Sequence, residues 1–237
     1  MRRAKKLLSL ALAAAMFVST FSSTAFASDM DDAYEVDRVD GKYAVVRVED
    51  DGEYYDSKSS ITIPSKIKSR TITRIGDGDS SIFASGGSEK NVYLPDTVDI
   101  ISDGAFEDST VKRVSMEEGP VEIGERAFAN CENLTSVTFA DSITKMGIEA
   151  FSGCTSLRSA TLPTSLTKIP DNAFQDCTDL RSVTIGSYVT SIGDSAFAGC
   201  DSLEEVTIPP NVTRIGYDAF DDFTLIKGYN GTAAQKY

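Results

Sequence analysis

The sequence predicts a repeat solenoid, mainly β, and three observations predict it. Phenylalanine recurs at 83, 106, 128, 151, 174, 197 and 220, in steps of 23, 22, 23, 23, 23 and 23 residues. From Phe106 onward each ring is preceded by alanine, at 105, 127, 150, 173, 196 and 219. Cysteine stands three residues after the ring in four consecutive units, at Cys131, Cys154, Cys177 and Cys200. Neither a heptad nor a strand alternation repeats at that distance, whereas one supersecondary unit stacked on copies of itself does.

One unit shows how the coil must pack. Leu157, Ala160, Leu162, Leu166, Ile169, Ala173 and Phe174 are followed in register by Leu180, Val183, Ile185, Val189, Ile192, Ala196 and Phe197. Leu203, Val206, Ile208, Val212, Ile215, Ala219 and Phe220 repeat the set again. The residues between are mostly Ser, Thr, Asp, Lys or Arg. Val-Thr-Ile at 183–185 and 206–208 alternates in-out-in, as a short half-buried strand does. Stacked units turn these segments into a parallel sheet with strands about 4.8 Å apart. Pro163, Pro209 and Pro210 end strands where no ladder donor is needed. A second extended segment, such as Val189 to Ile192, turns at Gly193, and the Ala-Phe segment is expected to return through 3₁₀ or short helical structure. A single unit cannot offset the entropy of ordering its own backbone, so the stack has to fold as one.

The pattern weakens towards both ends, as capping requires. Asn91 to Pro95 reads as a strand, and Ile61 to Pro64 with Thr73 to Gly76 as a divergent first unit. One residue is missing between Phe106 and Val114, and Pro120 occupies a normally aliphatic site. Gly41 to Tyr55 reads as an edge strand or hairpin over the first rung. Thr224 to Gly228 should supply the last strand, and Thr232 to Tyr237 a small terminal helix.

The first 27 residues read as an export signal. Arg2, Arg3, Lys5 and Lys6 precede an apolar run from Leu7 to Val18, and Ala25-Phe26-Ala27 has the small-x-small form of a cleavage site. The run is too short to remain as a membrane span, and no other apolar segment approaches 18 residues. The expected organisation is a signal peptide over 1–27, a flexible acidic segment over 28–38, a capping strand or hairpin over 39–60, the solenoid over 61–228 and a C-terminal cap over 229–237.

The chain carries 23 basic and 36 acidic residues, a net charge of −13. Removing residues 1–27 leaves 19 basic against 36 acidic, a net −17. Such a surface repels nucleic acid and anionic lipid, whose binding depends on clustered cations. The absence of histidine removes Ser-His-Asp and Cys-His catalysis and the commonest ligand of catalytic zinc. The expectation is a non-enzyme with no cofactor and no metal site.

The unit A-F-x-x-C-x-x-L-x-x-V-x-I-P-x-x-V-T-x-I-G resembles the BspA-like leucine-rich repeat of the Treponema pallidum type. The match is close at Ala150-Phe151 to Pro170, Ala173-Phe174 to Gly193 and Ala196-Phe197 to Gly216, and it extends over about residues 61 to 228. The resemblance implies a right-handed leucine-rich-repeat stack of about seven 23-residue rungs. It also implies a bacterial surface or secreted protein, in a family some of whose members bind host matrix proteins or other bacteria.

Several features carry candidate chemistry. The cysteine column is open to three readings: buried thiols packing as small hydrophobes, disulfides between neighbouring rungs, or a metal site, for which a spacing of 23 is unusual. The outward strand positions, Thr62, Tyr93, Ser115, Thr138, Thr161, Thr184 and Thr207, form a second column. Ser136, Ser159, Ser182 and Glu205 run beside it, then Lys112, Arg158 and Arg181. Threonine suits an exposed strand position for structural reasons alone. The same stripe is also neutral to basic and hydroxyl-rich on an acidic chain. The candidate binding face is therefore Lys112, Thr138, Arg158, Thr161, Arg181, Thr184 and Thr207. Leu94 to Val98 resembles a sortase signal but lacks the final glycine and a hydrophobic tail. Gly76-Asp77-Gly78-Asp79 hints at calcium but lacks the remaining ligands of a calcium loop.

The expected function is a secreted or cell-surface module that binds an extracellular protein or glycan, as in adhesion to host or neighbouring cells. The alternative is an accessory spacer of the bacterial surface with no specific ligand. No nucleic-acid partner and no membrane insertion after signal removal are expected.

Overall fold

The computed structural model describes residues 34–48, 60–79, 81–82, 90–116, 118–229 and 231–237. The expected signal peptide over 1–27, residues 28–33 of the expected flexible segment, residues 49–59 of the expected cap and Phe83 lie outside the described residues. Ala33–Tyr237 forms one compact unit, a stack of coils held together along three columns.

The first column is built from the Val-x-Ile segments. Its strands are Ser60–Thr62, Lys90–Tyr93, Val111–Ser115, Ser136–Thr138, Ser159–Thr161, Ser182–Thr184, Glu205–Thr207 and Leu225–Lys227. The second column runs through Arg70–Ile75, Ile100–Ile101, Glu122–Ile123, Lys145–Met146, Lys168–Ile169, Ser191–Ile192 and Arg214–Ile215. The pairings between successive members are parallel, for example Ala160 with Val183 and Ile192 with Ile215, with one register shift, between Lys90 and Asn91, against the shortened unit. Between the columns the chain bends in a turn closed from the third residue on, as where Leu166 N–H donates to Pro163 O at 3.2 Å.

The third column holds the Ala-Phe segments, and here the expected 3₁₀ or helical structure is not found. Residues 103–108, 125–130, 148–153 and 171–176 are consecutive turns. Each contains two left-handed residues four apart: Gly104 and Asp108, Arg126 and Asn130, Glu149 and Gly153, Asn172 and Asp176. A residue with positive φ reverses the helical sense, and alternate amides of the turn point to the next coil, while those between them, such as Ala129 N–H to Arg126 O, close back on their own coil. Phe128 N–H donates to Ala150 O at 2.8 Å, Asn130 to Ser152 O at 2.7 Å and Phe151 to Ala173 O at 2.9 Å. The only α-helix among the described residues is Ala233–Lys236.

The core runs as one continuous spine. Phe106, Phe128, Phe151, Phe174 and Phe197 are fully buried. With Phe220 they form a stack with centroids 4.7, 4.9, 5.3, 5.4 and 5.1 Å apart and planes within 9° of parallel. Six rings mark about six turns. Tyr237 closes the last one: its ring meets Phe220 edge-on at 5.9 Å, and its hydroxyl accepts from Phe220 N–H at 3.1 Å.

All four cysteines are buried free thiols. Each Sγ–H donates to a phenylalanine carbonyl of the preceding coil: Cys131 to Phe106 at 3.0 Å, and Cys154, Cys177 and Cys200 to Phe128, Phe151 and Phe174 at 3.2 Å. Ser109 occupies the cysteine position of the shortened unit, its hydroxyl 3.4 Å from the Cys131 sulfur. Burial, reinforced by the neighbouring thiols of Cys131 and Cys177, pushes the Cys154 thiol well above the usual range. Burial likewise raises Cys200.

The N-terminal cap begins earlier than the expected boundary. Strand β1, Tyr34–Val39, and strand β2, Lys42–Val48, form an antiparallel hairpin, so residues 34–38 are paired strand and not a loose segment. Asp40 and Gly41 both have positive φ, 49° and 80°, as a type I′ turn requires. Tyr34 is buried and its hydroxyl donates to Thr62 O at 3.2 Å. β2 then pairs in parallel with Arg70–Ile75, covering the first coil.

The ladders are not continuous along the stack. On the first column, Ile63, Leu94, Met116, Leu162 and Ile208 each donate a backbone N–H to the coil that follows, at 2.7–3.0 Å. Phe139 and Ile185 occupy the same position and lack that bond among the described residues. The first-column sheet is accordingly interrupted after Ser136–Thr138 and again after Ser182–Thr184, and the second column is interrupted once, after Lys145–Met146. At the first interruption the strand-end residue is Phe139 in place of leucine or isoleucine, its ring edge-on to Phe151 at 5.4 Å.

Candidate functional site

The first column presents its outer face to solvent. Parallel register places Thr62 beside Tyr93, Tyr93 beside Ser115 and Ser115 beside Thr138, and on the far side of the first interruption Thr161 beside Thr184. Thr207 pairs with Lys227. Ser136, Ser159, Ser182 and Glu205 form the row two residues upstream, which is what alternation dictates for one face of a strand.

Two populations of threonine can be told apart here. Thr135, Thr144, Thr155, Thr178, Thr190 and Thr213 each donate a hydroxyl to a carbonyl one coil back, at 3.1–3.5 Å. These bonds hold the stack. Thr138, Thr161, Thr184 and Thr207 are exposed, and among the described residues none of the four has a side-chain hydrogen bond. Their hydroxyls are available to a partner.

The charged members of the face divide similarly. Arg158 and Arg181 are exposed and adjacent, with Arg181 N–H bonded to Arg158 O at 3.0 Å, and neither has a carboxylate within ion-pair distance among the described residues. Glu205 is different, because Lys227 Nζ lies 2.6 Å from its carboxylate. Lys112 is half-buried, with Thr135 N–H on its carbonyl at 2.8 Å, and it lies across the first interruption from Arg158. The structure therefore brings Arg158, Thr161, Arg181 and Thr184 together. Lys112 and Thr138 sit on the earlier side of the break, and Thr207 on the far side of the second.

One residue of this face was missed from sequence. Arg113 is exposed and in register with Asn91 and Ser136, in the serine row. The signal was its place two residues before Ser115, where the next three units carry serine.

Two grooves among the described residues lie at ladder interruptions. One, of 460 Å³, lies over the second column between Lys145–Met146 and Lys168–Ile169, with Glu122, Glu125, Lys145, Ile148 and Lys168 among its walls. The other, of 580 Å³, lies on the threonine face between Ser182–Thr184 and Glu205–Thr207 and includes Arg181, Pro209, Pro210 and Tyr229. Among the described residues no group of three or more His, Cys, Asp or Glu is placed to hold a metal ion. No helix of the described residues is long and apolar enough to cross a membrane.

Comparison with known proteins adds the following. The BspA type leucine rich repeat region matches six times, over residues 53–119, 73–192 and 99–227. A leucine rich cell surface protein from Faecalibacterium prausnitzii A2-165, known by its crystal structure, is 27% identical with a TM-score of 0.66. The match covers 83% of this chain and 53% of that one, so the chain spans about half the length of that relative. A leucine rich repeat protein of T. pallidum is 19% identical with a TM-score of 0.46, over 73% of this chain and 88% of that one. No curated protein matches.

Proposed function

The chain belongs to the BspA-type leucine-rich repeat family, and on that footing we propose that it is a secreted or cell-surface module that binds an extracellular protein or glycan. Binding is by contact at many points on a preformed face and involves no catalysis. The observation that carries this reading is the column of Thr138, Thr161, Thr184 and Thr207, exposed and without internal hydrogen bonds, beside the unpaired guanidinium groups of Arg158 and Arg181. On a chain of net charge −13 these arginines are a local reversal of sign. A rigid face loses little entropy when it is covered, so several modest hydrogen bonds suffice. The likeness to a leucine rich cell surface protein supports the extracellular setting.

The test is a panel of host matrix proteins and immobilised glycans probed with the purified protein. Alanine is then introduced at Arg158, Arg181 and the four threonines together. The expected result is loss of at least tenfold in affinity for whatever partner the parent protein retains, with unchanged circular dichroism. Retention of full affinity by the sextuple variant rejects this face. Absence of any partner favours the spacer alternative.

A further inference from the structure

We propose that the groove between Ser182–Thr184 and Glu205–Thr207 is a subsite for a carboxylated sugar residue, a uronate or a sialate, with Arg181 holding the carboxylate and Tyr229 supporting the ring. The proposal rests on the reading of the threonine face as the binding surface and narrows it to one place and one chemistry.

The place is set by the second interruption of the first column. Leu162 N–H donates to Thr184 O at 3.0 Å and Ile208 N–H to Lys227 O at 2.7 Å, whereas Ile185 N–H has no such bond to Thr207 O. Main-chain polar groups that the ladder uses elsewhere are left here for another partner, and such groups favour a ligand rich in hydroxyls. The groove has a volume of 580 Å³. From Arg181 to Ile185 it follows about 13 Å of strand, which is longer than a single sugar ring.

The charge is set by Arg181. Its guanidinium is exposed and has no carboxylate partner among the described residues, while Glu205, the acid in the groove, is occupied by Lys227 at 2.6 Å. A planar guanidinium meets a carboxylate through two parallel hydrogen bonds. At the other end, exposed Pro210 and the exposed ring of Tyr229, with buried Pro209 beneath, offer apolar surface suited to the C–H face of a pyranose. Between the two lie the hydroxyls of Ser182, Thr184 and Thr207, all on exposed residues. The floor is the sheet itself, at Val183 and Val206, and offers no deep apolar well of the kind that anchors a peptide side chain. Shallow and hydroxyl-lined, with Arg181 as its one cationic wall residue and Glu205 offset by Lys227, the groove favours an acidic glycan over an acidic peptide.

The full-length protein is titrated by isothermal calorimetry with sialyllactose and lactose, with trigalacturonate and its methyl ester, and with an oligoglutamate peptide. One acidic sugar is expected to bind at least tenfold more tightly than its neutral counterpart, and the pair that discriminates identifies the source of the carboxylate. R181A and Y229A are expected to lose at least tenfold for that sugar, R181K a smaller amount, and R214A, exposed on the second column and outside both the groove and the threonine face, less than twofold. Equal affinity for acidic and neutral sugars, equal damage from R214A and R181A, or no binding of either acidic sugar at millimolar concentration overturns the proposal. If the peptide binds instead, and the sextuple face variant abolishes that binding, the groove assignment falls while the face remains the binding surface.

Discussion

Replacing Phe151 by alanine removes one ring from the middle of the spine. Phe151 stacks on Phe128 at 4.9 Å and on Phe174 at 5.3 Å and receives the edge of Phe139 at 5.4 Å, three ring contacts for a fully buried side chain. Phe to Ala in a core costs about 3–5 kcal/mol through lost transfer energy and the cavity left behind. Three aromatic contacts at roughly 0.5–1.5 kcal/mol each place this site at the upper end of that range. For a chain of this size each kcal/mol corresponds to about 2–4 °C, so the midpoint falls by roughly 6–20 °C. Position along the stack supplies the control. Phe220 has one stacked neighbour, Phe197, and one edge contact from Tyr237, and lies at the last coil. F220A should therefore cost less than F151A by at least one ring contact, about 0.5–1.5 kcal/mol. Urea denaturation followed by circular dichroism measures both. F151A is also expected to lower the slope of the transition, because the coils on either side of the gap no longer unfold as one. A cost below about 1 kcal/mol for F151A, or a larger cost for F220A, would refute the claim that one continuous spine holds the stack.

The thiol column makes stability depend on alkaline pH. The Cys154 and Cys200 thiols are raised by burial, so only the unfolded chain ionises them near its ordinary pKa of about 8.5. Stability is full below that pH and falls above it, by about 1.4 kcal/mol per pH unit for each thiol. Urea titrations at pH 7.5 and 9.5 should show the fall, and C154A/C200A should reduce it; an unchanged slope in the double variant contradicts the assignment. Gly193→Ala tests the closeness of the coils, since a Cβ there would meet the Asp171 backbone nitrogen at 2.4 Å and the Pro170 carbonyl carbon at 2.5 Å. Neither neighbour can move without shifting the adjacent coil, so a loss of about 1–3 kcal/mol or more is expected, and a thermal midpoint within 2 °C of the parent would show that the coils are looser than drawn.

The features legible in the sequence were those with one large residue at one fixed interval. A single phenylalanine per unit, always after alanine, has no other way to be buried, and it identified the spine and both strand columns. The hairpin at the start was less visible, although Asp40-Gly41 is a strong turn pair, because the acidic run before it suggested solvation more than pairing. Buried Tyr34 and Val45 are what draw the segment onto the first coil. The Ala-Phe return was misjudged as helical because the left-handed positions are not marked by glycine alone. Arg126, Glu149 and Ser195 adopt positive φ without it. The grooves were not legible at all. They lie where strand ladders stop, beside Lys145–Met146 and at Ile185, positions whose side chains look like any other strand end. The threonine face was identified correctly as exposed, but only the structure separates hydroxyls that tie coils together from those that face outward.

Between the coil of Ser136–Thr138 and that of Ser159–Thr161 both strand columns are interrupted, yet the Ala-Phe turns on the third side keep their bonds, with Phe128 N–H on Ala150 O and Phe151 N–H on Ala173 O. At this one level the protein is built like a book held by its spine. Parting the two free sides here breaks no strand ladder, only side-chain bonds such as Thr155 to the Glu132 carbonyl and Thr164 to the Asp141 carboxylate, whereas one coil further along, where Lys168–Ile169 pairs with Ser191–Ile192, a ladder has to part. The cohesion of the stack at this level is carried by the turns and by the packed core, including the edge of Phe139 on Phe151, and Thr138 and Thr161 of the outer face lie on either side of it.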